Sequence, residues 1–251
     1  MTTHPSGPQR LYLMQVATMT IGPFILPVPC YLIQTEDGKN ILIDSGWPLN
    51  MTGSKRTEEV KDGVGRSFII EHRKSVVEQL ATIGVQPSDI DLLICTHYDD
   101  DHAGNIGAFP NALLIAQRLQ HEVALTGHPR FALNRSQWDQ PASRYQFVDG
   151  DTELFPGLEL IETSGHVPGH QSVLVHLPQT GPVLLAIDAV AVQAHFTANR
   201  PVGPTDIDGA GAIASTHKLL DLVEKKRLSQ VIFGHDSQQW STLKQLPDFF
   251  E

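Results

Sequence analysis

Cysteine is scarce in this chain: of 251 residues only Cys30 and Cys95 carry a thiol, which leaves no basis for a disulfide framework. Both lie in apolar runs and read as small buried hydrophobes in a reducing compartment. Positive charge is short as well. Eighteen Lys and Arg stand against 28 Asp and Glu, a formal net charge of -10, which argues against nucleic acid or an anionic membrane as a general partner. No long apolar run is unbroken: Gln15, Thr18, Thr20, Gly22, Pro23, Pro27 and Pro29 interrupt the stretch from Leu11 to Ile33. It therefore reads as two strands joined by a loop and not as a membrane span. The polar segment Met1 to Arg10 lacks the apolar core of a signal peptide, and a cytoplasmic location is expected. Internal repeats, low-complexity tracts and interdomain linkers are also missing, and the length suits one α/β domain over 1–251.

What is present begins with short β-rich runs. Residues 11–17 and 30–34 read as strands, and 39–44 follows the turn Glu36-Asp37-Gly38 as the far arm of a hairpin. The span from Trp47 to Phe68 has three glycines and little periodicity, so it reads as a loop or irregular insertion, of a length often used for a lid. Val76, Val77, Leu80 and Ile83 recur at helical spacing ahead of Gly84. Strands are expected at 91–95, 112–116, 145–148, 158–162, 172–177, 183–187 and 230–233, with helices around 120–126 and 211–225.

The segment Thr96-His97-Tyr98-Asp99-Asp100-Asp101-His102-Ala103-Gly104 places two imidazoles and three carboxylates within six residues, directly after the apolar Leu92-Leu93-Ile94-Cys95. Such crowding repels itself unless a cation holds it, and a divalent metal converts it into binding energy. A plain acidic turn is the alternative for this segment taken alone. Four more segments place ligand-type residues at strand ends: Asp44-Ser45-Gly46, Ser164-Gly165-His166-Val167-Pro168-Gly169-His170, Ile187-Asp188-Ala189 and Gly234-His235-Asp236. Strand ends are where layered α/β folds gather their sites.

These motifs, in this order, resemble the metallo-β-lactamase superfamily, and the wording of Pro168-Gly169-His170-Gln171-Ser172 and Phe233-Gly234-His235-Asp236 is similar to that of the N-acyl homoserine lactonases, the quorum-quenching members. The resemblance implies a four-layer αβ/βα sandwich. It further implies two divalent metal ions, zinc first, with manganese, iron or cobalt as alternatives. His97, Asp99 and His166 would hold one ion and Asp101, His102 and His235 the other, with Asp188 bridging. The reaction implied is attack of a metal-bridging hydroxide on a lactone carbonyl, with Asp101 as catalytic proton carrier. Asp44 is a candidate acceptor for a ligand imidazole, and His170 is expected to be structural.

Two positions depart from the family pattern. The superfamily motif His-x-His-x-Asp-His becomes His97-x-Asp99-x-Asp101-His102, so an aspartate stands where a histidine is expected. Asp99 either ligates, making the first site harder, or points away and leaves that site weak. Restoring histidine at 99 is expected to keep both ions and shift preference towards zinc. The tyrosine that these lactonases often carry three residues after the bridging aspartate is Ala191 here; Tyr98 or a water is a candidate replacement. Tyr98 reads as packing or pocket wall and Asp100 as a solvated or loop-bracing carboxylate. Met19, Phe24, Ile25, Trp47, Phe68 and Ile69 are candidates for an apolar groove taking an acyl tail, and core packing accounts for each equally well. The expected partner is a small lactone, with no nucleic acid or membrane, and a monomer or homodimer. Hydrolysis of another lactone or a glyoxalase II-like thioester, and a metal-binding pseudoenzyme module, remain open.

Overall fold

The computed structural model describes residues 6–48 and 57–251. The chain begins with a long hairpin, β1 (Pro8–Ile21) and β2 (Phe24–Thr35), followed by β3 (Asn40–Ile43), β4 (Thr57–Lys61) and β5 (Ser67–His72). Helix α1 (Val76–Ala81) leads to β6 (Ile90–Ile94), β7 (Leu113–Gln117), α2 (Arg118–Leu125), α3 (Arg135–Trp138) and β8 (Tyr145–Val148). The second half contains β9 (Thr152–Phe155), β10 (Leu158–Glu162), β11 (Gln171–Leu177), β12 (Gly181–Ile187), α4 (Gly209–Lys226), β13 (Gln230–Phe233) and α5 (Ser237–Trp240). Eight strands form one sheet in the order β4-β5-β1-β2-β3-β6-β7-β8, and five form another, β13-β12-β11-β10-β9.

Alternation along the strands assigns the layers. Leu11 and Leu13 of β1, Tyr31 and Ile33 of β2, and Ile41 and Ile43 of β3 share one core with Val173 and Val175 of β11 and Leu185 and Ile187 of β12. That core lies between the sheets. The intervening residues Met14, Leu32, Leu42 and Leu93 point the other way and pack with Val76 and Leu80 of α1 and with Ala124 of α2. On the far side, Leu174, Leu184 and Ala186 pack with Leu219 of α4. The result is the expected helix–sheet–sheet–helix sandwich. β3 and β6 pair in parallel, and a parallel strand covered on both faces needs the unbroken apolar runs Ile41-Leu42-Ile43 and Leu92-Leu93-Ile94.

The first hairpin is longer than the 11–17 and 30–34 pairing expected from sequence. Its outer arm pairs Thr18–Ile21 with Phe24–Pro27 around Gly22, whose φ is +53°. Pro27 and Pro29 are tolerated because β3 pairs only with Tyr31–Gln34, leaving the edge of β2 open beside both prolines. The span 47–68 is also more regular than expected. β4 and β5 form a hairpin that adds to β1 through Ala17↔His72 and its neighbours. β4 hides in the sequence because it is a charge-rich edge strand whose one buried side chain is Val60. Residues 49–56 of that expected loop, and His4, lie outside the described residues. Among the described residues no helix is long and apolar enough to cross a membrane.

Candidate metal centre

The five ligand-bearing segments all leave C-terminal strand ends, and the fold brings their side chains together. His97, His102, His166, His235 and Asp188 are buried, as are Asp99 and Asp101 at the cavity floor. Three overlapping groups have the proximity a metal requires: His97, Asp99 and His166; His97, His102 and Asp188; Asp101, His102 and His235. Asp188 divides its two oxygens between them. Oδ1 lies 3.0 Å from His235 Nε2 and 3.5 Å from His102 Nε2, while Oδ2 lies 3.3 Å from His166 Nε2 and 4.0 Å from His97 Nε2. Asp101 Oδ2 is 3.6 Å from both His102 Nε2 and His235 Nε2. Separations of this size are the edges of a tetrahedron whose centre is about 2 Å from each donor, the ordinary zinc–ligand distance.

Each imidazole is oriented from behind. His102 Nδ1 is 2.8 Å from Asp44 Oδ2, and Asp44 is itself fixed by Thr96, whose backbone N–H and Oγ1 both donate to it at 2.8 Å. Because Thr96 Oγ1 spends its hydrogen on Asp44, at 3.1 Å from His97 Nδ1 it can only accept. His235 Nδ1 donates to the Pro27 carbonyl at 2.7 Å. In all three, Nδ1–H is occupied and the Nε2 lone pair is turned into the cluster. His97 Nε2 and His102 Nε2 are buried with no hydrogen-bond partner. Buried polar atoms are rarely left so, and a cation is the one occupant that satisfies lone pairs converging from both imidazoles and carboxylates; the residues fit the metal that the motif implies.

Electrostatics agree. Burial would push the His102 imidazole down, but Asp101, Asp188 and Asp44 outweigh it and push it up to about 10. His235 opposes burial in the same way, through Asp188 and Asp101, and is pushed up to about 9. His170 behaves oppositely: burial, with His97 and His166 nearby, holds it well below the usual histidine range. As a neutral ring it accepts the backbone N–H of Asp188 through Nε2 at 3.2 Å and contacts Thr163 Oγ1 through Nδ1 at 2.8 Å, bracing the strand end and not joining the cluster.

Backbone at the site is under constraint. Asp44 and Ile187 both have positive φ, +60° and +52°, a costly conformation for a non-glycine and most of all for β-branched Ile187. Gly234 has no room for a side chain, since a Cβ would stand 2.6 Å from the Ile187 carbonyl and 2.8 Å from Asp188 Oδ1.

Asp99 does not point away. It faces the cluster, with Oδ2 3.5 Å from His97 Nε2 and 3.2 Å from His166 Nε2, and it is gripped by a residue that sequence reading missed. Arg130, buried just after α2, donates from Nε to Asp99 Oδ1 at 2.6 Å and from Nη2 to Asp99 Oδ2 at 2.5 Å. Burial alone would raise the Asp99 carboxyl; the Arg130 guanidinium, by its charge and its hydrogen bonds, holds it well below the carboxylate range. A carboxylate in place of a neutral imidazole calls for a counter-cation, but nothing in the wording His128-Pro129-Arg130-Phe131 marks which of 18 basic residues supplies it. Asp206 was also missed: it lies 3.6 Å from His166 Nδ1 and is paired with Arg200 Nη2 at 2.7 Å.

The cluster opens onto a cavity of about 370 Å³ whose wall includes Met19, Phe24, Trp47, Phe68 and Ala191, with Arg130, Asp99, Asp100 and Asp101 at its floor. Tyr98 requires correction. It is fully buried, stacks on Trp138 with centroids 5.3 Å apart, and its hydroxyl lies 3.1 Å from His121 Nδ1. It is a core residue off the cavity, and so neither a substrate contact nor a replacement for the missing tyrosine. Ile25 and Ile69 are 60% and 49% exposed and do not line the cavity. Asp100 is buried, not solvated; burial, then Asp99 and Asp101, push its carboxyl up to about 8.

Residues 24–235 match the Metallo-beta-lactamase superfamily, and the chain belongs to it. Among its relatives, an N-acyl homoserine lactonase of Bacillus sp is 36% identical over 237 residues, covering 93% of this chain and 91% of that one. The N-acyl homoserine lactonase AttM of Azorhizobium caulinodans is 32% identical over 268 residues, covering 96% and 98%. In structure, a mutant of B. thuringiensis AiiA with N-decanoyl-L-homoserine bound at its active site superposes with a TM-score of 0.83 at 29% identity, covering 97% of this chain and all of that one.

Proposed function

We propose that this chain is a metal-dependent lactonase that opens the ring of N-acyl homoserine lactones. The observation that carries this reading is the union of two features: a cluster of inward-turned imidazole and carboxylate lone pairs, and an apolar cavity above it wide enough for an acyl tail. The lactonase relatives along nearly the whole chain support the substrate class.

The donors available to metal are His97, Asp99, His166 and Asp188 on one side and Asp101, His102, His235 and Asp188 on the other, with zinc the first expectation. Divalent ions held there would lower the pKa of water towards neutrality and polarise the lactone carbonyl. The chain's own residues do the rest. Asp44, Thr96 and the Pro27 carbonyl fix which imidazole nitrogen faces inward. Asp101, which lines the cavity, would take a proton from the nucleophile and return it to the ring oxygen as the C–O bond breaks, giving an open-chain hydroxy acid. Met19, Phe24, Trp47 and Phe68 exclude water from the tail and orient the ring towards the floor. No phenol at 191 helps the developing oxyanion, a loss that commonly costs about 10² to 10³ in rate where nothing replaces it.

A panel of lactones of increasing acyl length, assayed on protein loaded with defined metals, tests this reading. Ring opening that rises with tail length is expected. Thioester hydrolysis without lactone opening would move the chain to the glyoxalase II-like alternative.

A further inference from the structure

The Arg130 guanidinium has more contacts than the pair with Asp99. Nη2 also lies 2.7 Å from His166 Nε2, and Nη1 donates to the Thr205 carbonyl at 2.5 Å. A guanidinium can only donate, so His166 Nε2 accepts, and it does so with the single lone pair that a metal would need. The other nitrogen of the ring faces Asp206 Oδ1 at 3.6 Å. One lone pair serves one cation. Asp99 likewise accepts from Arg130 at both oxygens. Two of the four donors of the first site are therefore already committed to a cation built into the chain. Arg130 has no hydrogen bond to Asp101, His102 or His235 among the described residues, and His102 Nε2 has no hydrogen-bond partner.

The geometry points to a centre of two unequal sites: one ion binds tightly between Asp101, His102, His235 and Asp188, and Arg130 takes the place of the second ion at His166 and Asp99. The aspartate that departs from the superfamily motif is then chiefly the anchor of this arginine. Asp99 and Arg130 together are neutral, as the replaced histidine is, so the exchange brings a fixed positive charge to the first site without adding net charge to the buried cluster. An ion can enter the first site only by displacing Nη2 from His166. This inference rests on reading the cluster as a metal centre.

The test is zinc stoichiometry and affinity for the full chain, stripped with chelator and titrated by calorimetry against a competing chromophoric chelator, with elemental analysis after desalting. The wild type should keep one equivalent, with any second weaker by on the order of 10- to 100-fold, the range over which groups contacting ligands shift metal affinity. Arg130→Met should bring the second equivalent to within about 10-fold of the first. Should that variant fail to fold, Asp99→His combined with Arg130→Met leaves no unpaired charge and should hold two equivalents. If the wild type holds two ions of equal affinity, or if Arg130→Met retains one ion and loses the second, Arg130 merely positions Asp99 as a ligand and the inference is wrong. Either result leaves the lactonase reading standing, because ring opening is assayed separately. Failure of every form to bind zinc would overturn both.

Discussion

At the scale of single residues, the pairing of Asp99 with Arg130 reverses the expectation drawn from the motif. Asp99→His alone leaves a buried guanidinium without its carboxylate, a defect that typically costs about 3–5 kcal/mol. Chemical denaturation should find that loss in the single variant and recover most of it when Arg130→Met is added. Asp44→Asn should be milder in stability and specific in effect: it weakens the hold on His102 Nδ1 and should reduce ion affinity by about 10- to 100-fold, read by chelator competition. The ligands named by the motif were legible because metal chemistry restricts them to His and Asp at fixed spacing. Arg130 was not, because its requirement comes from a residue 31 positions earlier and any basic side chain satisfies it on paper. Tyr98 was misplaced for a related reason: alternation along the loop fixes that it points away from its neighbours, but not whether solvent or Trp138 waits there.

At the scale of elements, the most legible strands were short runs rich in β-branched and aromatic residues and bounded by polar turns. β8 and β13 run over 145–148 and 230–233 as the sequence pattern indicates, and β6 and β12 differ only at their ends. β4 escaped because one face of it is in water and its sequence there obeys solubility more than packing, and the outer arm of the first hairpin because Gly22, Pro23 and Pro27 read as strand breakers. That outer arm supplies Met19 and Phe24 to the cavity, and Phe24 is 62% exposed, an unusual setting for a large aromatic. Phe24→Ala should leave short-chain lactones little affected while flattening the gain in kcat/KM with tail length, since each buried methylene contributes about 0.8 kcal/mol. An equal loss on all substrates would mean that Phe24 supports the fold instead. Gly234→Ala pushes a methyl towards Asp188 Oδ1 and should lower zinc content with little change in secondary structure.

At the scale of the whole molecule, the site is a concentration of charge inside an otherwise apolar sandwich, and its protons tie stability to pH. In the ion-free protein His102 and His235 are pushed up from 6.5 to about 10 and about 9. Their stabilising contribution is complete below about pH 6.5 and fades as pH rises through 9 and 10. Ion binding has the opposite sign, because both imidazoles must be neutral to ligate. Thermal melts of chelated protein should therefore lose this contribution between pH 6.5 and 10, while zinc affinity climbs over the same interval. Calorimetry in buffers of different ionisation enthalpy should show protons released as zinc binds near pH 7; zinc binding without proton release would place these imidazoles outside the coordination shell.

The Pro27 carbonyl has one further consequence. β2 carries the cavity wall at Phe24 and Leu26 and, one residue later, the oxygen that holds His235 in place. Gauge and grip thus share a single length of backbone. Were a proposed acyl tail to bend this arm, the shared backbone would carry the movement to the imidazole beneath it, and chain length would register at the ring that faces the metal cluster.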